Sequence, residues 1–343
     1  MRILQTSTLL ATLGLFTVGV APALGDSSTT TTVSTTTSAP TTTTTTKPVH
    51  VAPLTGLPDP SGLTKHRPAL TVKIDNTFDA RPQYGINKAD IVYEEICEGG
   101  ITRLAAIFNS RLSLRVGPVR SVRRTDREIV YPIGGIFAFS GGALYALKSI
   151  RSAPVKLFDQ SSAGAAMFRD PKRYPPHNLY ANVAALIKRG GRPTPPPALF
   201  TYTPVTAPPI GGRVHSFVVG FVAGYATTWT WNARSLSWDR SIFGRPDVTA
   251  DGARLSPKNV VVLSVHYRGG VGVEGAQAVL TGSGPVRVFT KGRMINGSWS
   301  RGANLRKPIV VRSADGKVIA LTPGSTWVEL LDVSEHVTLT SLR

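Results

Sequence analysis

Short apolar runs alternate with turn-forming residues from about residue 51 onward, a pattern typical of a globular body built largely from strands. In the first half of this region, strands are predicted at 69–74, 90–95, 101–108 and 136–139. Helical spacing and nearby Gly or Pro residues predict short helices at 124–133, near 144–148 and at 182–188.

The second half is predicted to be mostly β. The apolar or alternating runs lie at 214–219, 228–231, 260–263, 286–289 and 327–331, and Asp315-Gly316 is a hairpin signal. The predicted fold class is therefore α+β: two β-rich domains with layered sheets and a few short helices.

The first 50 residues differ in composition from this body. Residues 1–25 have the pattern of a signal peptide, with Arg2, an apolar stretch of about a dozen residues and small residues before Gly25. Cleavage is expected after Gly25, since spanning a bilayer takes roughly 20 apolar residues; retention as an anchor is the alternative. Residues 26–50 are rich in Thr and bury little apolar surface, which predicts a disordered tether.

Dense prolines mark the expected domain boundary. Residues 191–212 are predicted to be a stiff linker between an N-terminal α+β domain at 51–190 and a C-terminal β-rich domain at 213–343. No further run in the chain is long enough to cross a membrane as a helix.

The formal net charge is +19, and removing the signal peptide would remove only Arg2. Outside the cytoplasm, anionic wall polymers and lipid headgroups are the expected partners of such a protein, and nucleic acid is not. High charge can also serve solubility alone. The densest basic cluster consists of Arg111, Arg115, Arg120, Arg123, Arg124 and Arg127.

No metal or cofactor site is predicted. The six histidines are far apart, and the paired glycines lack the Rossmann and Walker spacings. The one cysteine, Cys97, follows a strand-like run and is expected to be a small buried residue, not a reactive thiol.

Several long motifs follow one another over roughly 51–332. In the first half they are Ile74-Asp75-Asn76, Arg81-Pro82-Gln83, 89–94, 98–103, 117–121 and 176–180; in the second half they are 259–262, 281–284, 297–301 and 323–329. In order and rough spacing they resemble the YerB-like family, bacterial envelope proteins classed as a domain of unknown function. The resemblance implies a two-domain α+β architecture with layered sheets, and no particular reaction.

The sequence departs from that family in two places. Many members are lipoproteins, but this chain has no lipobox cysteine. The family often has a His before the paired glycines, where this chain has Phe139-Ser140. A catalytic role for that His would not carry over.

Polar residues near strand ends and in Gly- or Pro-rich turns form the candidate binding site of the first domain. They are Asp75, Asn76, Arg81, Glu94, Glu98, Thr102, Arg103, Arg120, Ser121, Arg123, His177 and Asn178. The planar guanidinium of Arg suits a carboxylate or phosphate. We expect Asp75, Glu94, Glu98, Arg103, Arg120 and His177 to converge, either around a ligand or as a structural network of acids and arginines.

No catalytic residue is assigned. Glu94 and Glu98 could be paired acids of a glycosidase, with Asp126 as a further acid, but pairing with arginines is favoured. An Asn or Asp could orient His177, but no Gly-x-Ser-x-Gly motif marks a nucleophile. Trp229 and Trp231 share a strand face, as a sugar platform or, more in keeping with Trp, as core.

The sequence therefore predicts a secreted envelope protein on the cell-wall side. We expect a non-catalytic module that binds an anionic wall polymer, a glycan or a wall-synthesis partner. The alternatives are an enzyme acting on wall glycan or peptide by carboxylate or His acid–base chemistry, and a structural partner of a membrane complex.

Overall fold

The structure is a computed structural model and describes residues 50–190 and 194–341. The predicted signal peptide and residues 26–49 of the predicted tether lie outside the described residues, as do 191–193 at the start of the predicted linker. Within the described ranges, no helix is long and apolar enough to span a membrane.

In the first half, four strands and three short helices lie close to their predicted positions, and three further short strands at 156–158, 167–169 and 179–181 were not predicted. Its strands are β1 (Leu70–Asp75), β2 (Ile91–Ile96), β3 (Thr102–Phe108), β4 (Ile136–Ala138), β5 (Lys156–Phe158), β6 (Met167–Arg169) and β7 (Leu179–Ala181). Its helices are α1 (Arg124–Val130), α2 (Leu144–Arg151) and α3 (Val183–Arg189). The Asn182 side chain begins α3 by accepting a 3.0 Å hydrogen bond from the Ala185 amide.

Strands dominate the second half. They are β8 (Gly212–Arg213), β9 (Ser216–Gly220), β10 (Ala226–Asn232), β11 (Ser237–Ile242), β12 (Arg245–Pro246), β13 (Asn259–Val265), β14 (Tyr267–Arg268), β15 (Gln277–Ala278), β16 (Gly282–Thr290), β17 (Arg293–Arg301), β18 (Val310–Ser313), β19 (Thr326–Asp332) and β20 (Val337–Ser341). The Asp315-Gly316 turn follows β18, where the Ser313 amide donates to the Lys317 carbonyl.

One mixed sheet draws strands from both halves of the chain. Its order is β18-β17-β16-β13-β19-β2-β3-β1-β4-β5, with β8 beside β17. Strands β13, β19 and β2 are parallel, and β1 is parallel to β4 and β4 to β5. Because β1 and β2 are both antiparallel to β3, all six of these strands run in the same direction.

The five-stranded sheet β12-β11-β10-β9-β20 covers one face of this central sheet. Phe217 of β9 stacks on Phe289 of β16 with ring centroids 3.5 Å apart, and Trp229 of β10 meets Trp327 of β19 edge-on at 5.6 Å. Helices α1 and α2 lie on the other side, where Val130, Ala146 and Ile150 pack against Phe137 of β4, and both faces of β2 are buried. The predicted α+β class with layered sheets is confirmed, and Trp229 belongs to the core.

Candidate functional site

Parallel strands β1, β2 and β4 end at one edge of the central sheet. Asp75 is the last residue of β1, and Glu98 follows the end of β2. The segment ending in Arg120 fits between β1 and β4: the Arg120 amide donates to the Lys73 carbonyl, and the Ser140 amide donates to the Arg120 carbonyl, each at 2.9 Å. Ligands of open α/β sheets bind at the carboxyl ends of parallel strands, which makes this edge the natural place for a site.

Asp75 holds two cationic or basic side chains at this edge. Its buried Oδ2 atom lies 2.8 Å from Arg120 Nε and 2.8 Å from His177 Nδ1. Since a carboxylate accepts hydrogen bonds, Nδ1 of His177 carries the proton of this contact and Nε2 is the nitrogen left for another partner. Within 50–190 and 194–341, neither that Nε2 nor the two Nη atoms of the partly exposed Arg120 have a hydrogen-bond partner.

A second group of charged side chains lies beside Asp75, Arg120 and His177. Arg123 donates to both carboxylate oxygens of Glu98, with Nε 2.8 Å from Oε2 and Nη2 bonded to Oε1. Arg103 lies opposite Asp75 in the β1–β3 register, and its Nη2 is 3.4 Å from Glu98 Oε1. Ser121 Oγ accepts hydrogen bonds from both Arg103 and Arg123, at 2.7 and 2.8 Å.

We call these residues the arginine cluster: Asp75, Glu98, Arg103, Arg120, Ser121, Arg123 and His177. Its three guanidinium groups outnumber its two carboxylates. Burial lowers the pKa of Arg120; Asp75 opposes this, and the positive charges of Arg103 and Arg123 add to it. Partial burial would raise the pKa of Glu98, but its bonds to Arg123 lower it, so Glu98 is ionised. The cluster therefore has a positive excess at neutral pH.

Glu94 does not join this cluster, and the expectation that it would was wrong. In the β2–β3 pairing Arg103 is opposite Glu95, so the neighbouring Glu94 projects from the other face of the sheet. There it is fully buried, with Oε2 2.8 Å from Arg240 Nη2 and 3.0 Å from Trp327 Nε1.

Three further candidates lie with Glu94 in what we call the interior network. Asn76 Nδ2 and Thr102 Oγ1 donate to Glu94 Oε1 at 3.0 and 2.7 Å, and Arg81 bonds to Asn76 Oδ1. The network also contains Asp247, which binds both Arg81 and Arg240, and Glu329, beside Glu94 in the β19–β2 register. Burial, followed by the charge of Glu94, raises the pKa of Glu329 well above its usual range. These groups are paired with one another between the two sheets, which supports a structural role for this part of the candidate set. Glu329 Oε2 and the Nε atoms of Arg81 and Arg240 are the members without a hydrogen-bond partner among the described residues.

A third set of ionisable groups lies on the α1 side of the sheet. Lys73 pairs with Glu95 and with Asp126, whose Oδ1 is 2.8 Å from Lys73 Nζ, and all three are buried. Burial raises the pKa of Asp126 to about 6, although Lys73 acts in the opposite direction. Asp126 and Glu94 are thus both engaged with basic side chains and shielded from solvent.

Asn178 and Cys97 complete the set of residues singled out from the sequence. Asn178 accepts a 2.6 Å hydrogen bond from Arg169, so Asp75 and not Asn178 orients the His177 ring. Cys97 is buried, and burial raises the pKa of its thiol to about 12. Among the described residues, no group of three or more His, Cys, Asp or Glu side chains could hold a metal ion.

The sequence pattern did not single out Arg240, Asp247, Glu329 or Lys73. The sequence did contain an indication that Arg240 is buried. Arg240 alternates with Trp238 and Ile242 on β11 and therefore shares their inward face. An inward Arg requires a buried acid as its partner. The sequence pattern could not identify that acid, because Glu94 lies 146 residues earlier in the chain.

Two family models match this chain. Residues 54–192 match "Protein of unknown function (DUF3048) N-terminal domain", and residues 217–328 match the corresponding C-terminal domain. Over 290 residues the chain is 28% identical to a Bacillus subtilis (strain 168) protein named "Putative lipoprotein YerB", covering 82% of this chain and 86% of that protein. The crystal structure of YerB protein from Bacillus subtilis superposes with a TM-score of 0.73 at 25% identity, covering 84% of this chain and 99% of the other. The chain is therefore a member of the DUF3048, or YerB-like, family.

Proposed function

We propose that this protein is a non-catalytic module of the cell envelope whose arginine cluster binds an anionic group of a wall polymer. The observation that carries the proposal is the state of Arg120. Asp75 forms an ion pair with it, with Oδ2 2.8 Å from Nε but without hydrogen-bond geometry, while both Nη atoms stay unoccupied by other described residues at the rim of the site. A guanidinium held in this way presents a fork of donors that matches a phosphate or carboxylate.

Location and charge support the same ligand class. The related protein carries the name "Putative lipoprotein YerB", and we propose an extracytoplasmic, wall-side location for this chain. The net charge of +19 favours attraction to polyanions such as wall polymers. Exposed charges act over about 8 Å at physiological salt, so binding should weaken as salt is raised.

The test is co-sedimentation of the secreted protein with purified sacculi, prepared with and without their phosphate-containing polymers. Arg120→Ala should weaken binding about tenfold or more, since a hydrogen bond to a charged group contributes about 1.5–3 kcal/mol. Arg120→Lys should keep the positive charge that Arg120→Ala removes, but not the paired donors of the guanidinium. Arg287→Ala is the matched control, because Arg287 is partly buried on β16 and has no ion pair among residues 50–190 and 194–341. Equal binding by Arg120→Ala and the wild type, or no binding at low salt, would refute the proposal.

One observation favours an enzyme as the second candidate. The Asp75–His177 pair has the form of an oriented general base, with Nε2 unoccupied. Against it, Glu98 is bound by Arg123, and Glu94 and Asp126 are buried. Release of soluble fragments from the same sacculi, abolished by His177→Ala, would favour this candidate; unchanged sacculi would favour the binding module. A structural partner of a membrane complex, the third possibility, would bind neither preparation.

A further inference from the structure

A cavity of about 490 Å³ lies at the opposite edge of the central sheet, where parallel strands begin. Its wall is formed by parts of segment 52–64, by the approach to β2 at 86–92, and by segments 254–258 and 323–327. Residues from both halves of the chain therefore line one space, which is separated from the arginine cluster by the length of the strands.

Three basic side chains line this cavity without an acidic partner within salt-bridge distance among the described residues. Each makes one hydrogen bond to a neutral acceptor: Arg111 to the Asn87 carbonyl at 2.9 Å, Arg254 to Ser241 Oγ at 2.9 Å, and Lys258 to the Ser235 carbonyl at 2.6 Å. Partial burial lowers the pKa of Lys258, which reflects its limited contact with water. The cavity thus gathers three positive charges without a direct ion pair, and Asp239 and Asp247 act on Arg254 only from beyond salt-bridge distance.

The one carboxylate lining the cavity is already occupied. Asp59 Oδ2 accepts from the Thr64 amide at 2.9 Å and from Thr64 Oγ1 at 2.7 Å, and Oδ1 accepts from Ser61 Oγ at 3.0 Å. The hydrogen bond from the Thr64 hydroxyl is the largest cause that lowers the pKa of Asp59 to about 2. Asp59 therefore stays ionised and bound to its own turn.

Arg254 also has an unsatisfied donor. Its Nη1 atom is buried and has no hydrogen-bond partner in the described part of the chain. A buried donor without an acceptor is unfavourable, and a negatively charged oxygen is the acceptor that a guanidinium binds best. Arg254 therefore lines the cavity with a guanidinium whose hydrogen bonding is incomplete among the described residues.

The remaining wall is largely apolar. It includes Leu57, Pro58, Leu255, Pro257 and Pro323. A bare inorganic anion would leave this surface in contact with water, whereas a ligand with an apolar body would cover it.

We infer that this cavity binds an amphipathic organic anion, with a phosphate or carboxylate head at Arg254 and Lys258 and an apolar body along the proline-rich wall. The site is independent of the arginine cluster and of the function proposed for it. Gly324 supports its geometry: with φ of +141°, it lies under Lys258, and a Cβ there would come within 2.3 Å of Lys258 Cγ.

The test is calorimetric titration of the full secreted chain with octyl phosphate, octanoate, octyl glucoside and inorganic phosphate. Octyl phosphate or octanoate should bind, and whichever binds more tightly identifies the head group. Octyl glucoside and inorganic phosphate should bind at least tenfold more weakly. Arg254→Gln, and Ser325→Phe as a variant that fills the cavity, should each weaken binding about tenfold or more.

Arg287→Gln should bind as the wild type does, and all titrations use the Arg120→Ala background, so that anion binding at the arginine cluster does not contribute. Urea denaturation of each variant verifies that it is folded. The inference is overturned if neither amphipathic anion binds, if octyl glucoside or inorganic phosphate binds equally well, or if folded Arg254→Gln and Ser325→Phe proteins retain full affinity.

Discussion

Replacing Arg240 with Met should destabilise the protein strongly. Arg240 is fully buried between Glu94 and Asp247. Breaking a buried ion pair from one side costs about 3–5 kcal/mol, because the remaining charge is left uncompensated. After the change Asp247 would still pair with Arg81, so the uncompensated charge is that of Glu94.

The loss should fall at the lower end of this range, about 3 kcal/mol. Glu94 would keep three hydrogen-bond donors, from Asn76, Thr102 and Trp327, and these offset part of its burial. Adding Glu94→Gln to Arg240→Met removes the charge and should recover part of the loss, which a double-mutant cycle measures.

Urea denaturation followed by tryptophan fluorescence is the assay, since Trp229 and Trp327 lie beside Arg240. Arg287→Met, a partly buried arginine of β16, should change the free energy of unfolding by less than about 0.5 kcal/mol. An Arg240→Met protein within about 1 kcal/mol of the wild type, or no recovery on adding Glu94→Gln, would refute this account of the interior network.

Three further predictions follow from other buried positions. The pKa of Glu329 is higher in the folded than in the unfolded chain, so its contribution to stability is full below the unfolded value of about 4.3 and is lost as pH rises. The Glu329→Gln protein lacks this loss, so its stability relative to the wild type should increase from acidic to neutral pH. Parallel pH profiles of the two proteins would contradict this. Cys97 should not react with a thiol reagent in the native protein but should react in denaturant, and rapid labelling of the native state would show that it is accessible. Gly85→Ala should lose more stability than Gly99→Ala in thermal melts. Both glycines have a positive φ, but only at Gly85 would a Cβ clash, since it would lie 2.3 Å from the Arg115 carbonyl oxygen. Equal losses of stability would contradict the clash.

The sequence predicted β1 to β4 and the three helices of the first half because apolar runs there end at clear turn residues, but it did not predict the short strands β5, β6 and β7. The five-stranded sheet was harder to predict, since β11 carries an inward Arg240 that interrupts its apolar alternation. Strand β20 was missed as well, and its alternation of Val337 and Leu339 with polar residues is short. Pattern reasoning depends on apolar periodicity, and these strands supply little of it.

The candidate site was predictable in part for a related reason. Asp75, Arg120 and His177 each lie next to a strand end or a turn, and such positions gather at one sheet edge. Assigning Glu94 and Glu95 to faces required the register against β3, and a shift of one residue exchanges the two sides. The sequence does not contain that register, so Glu94 was placed with the wrong partners.

The pairing of β19 with β2 has a consequence for how the chain is completed during synthesis. Strand β2 is made early, but its neighbour in the sheet spans Thr326–Asp332, and Trp327 supplies a hydrogen bond to the buried Glu94. A nascent chain that stops before residue 326 therefore carries an apolar, unpaired strand edge in the middle of its largest sheet. Such a chain is prone to aggregation and to proteolysis until the last strands arrive, so the protein must be protected or kept extended through most of its synthesis.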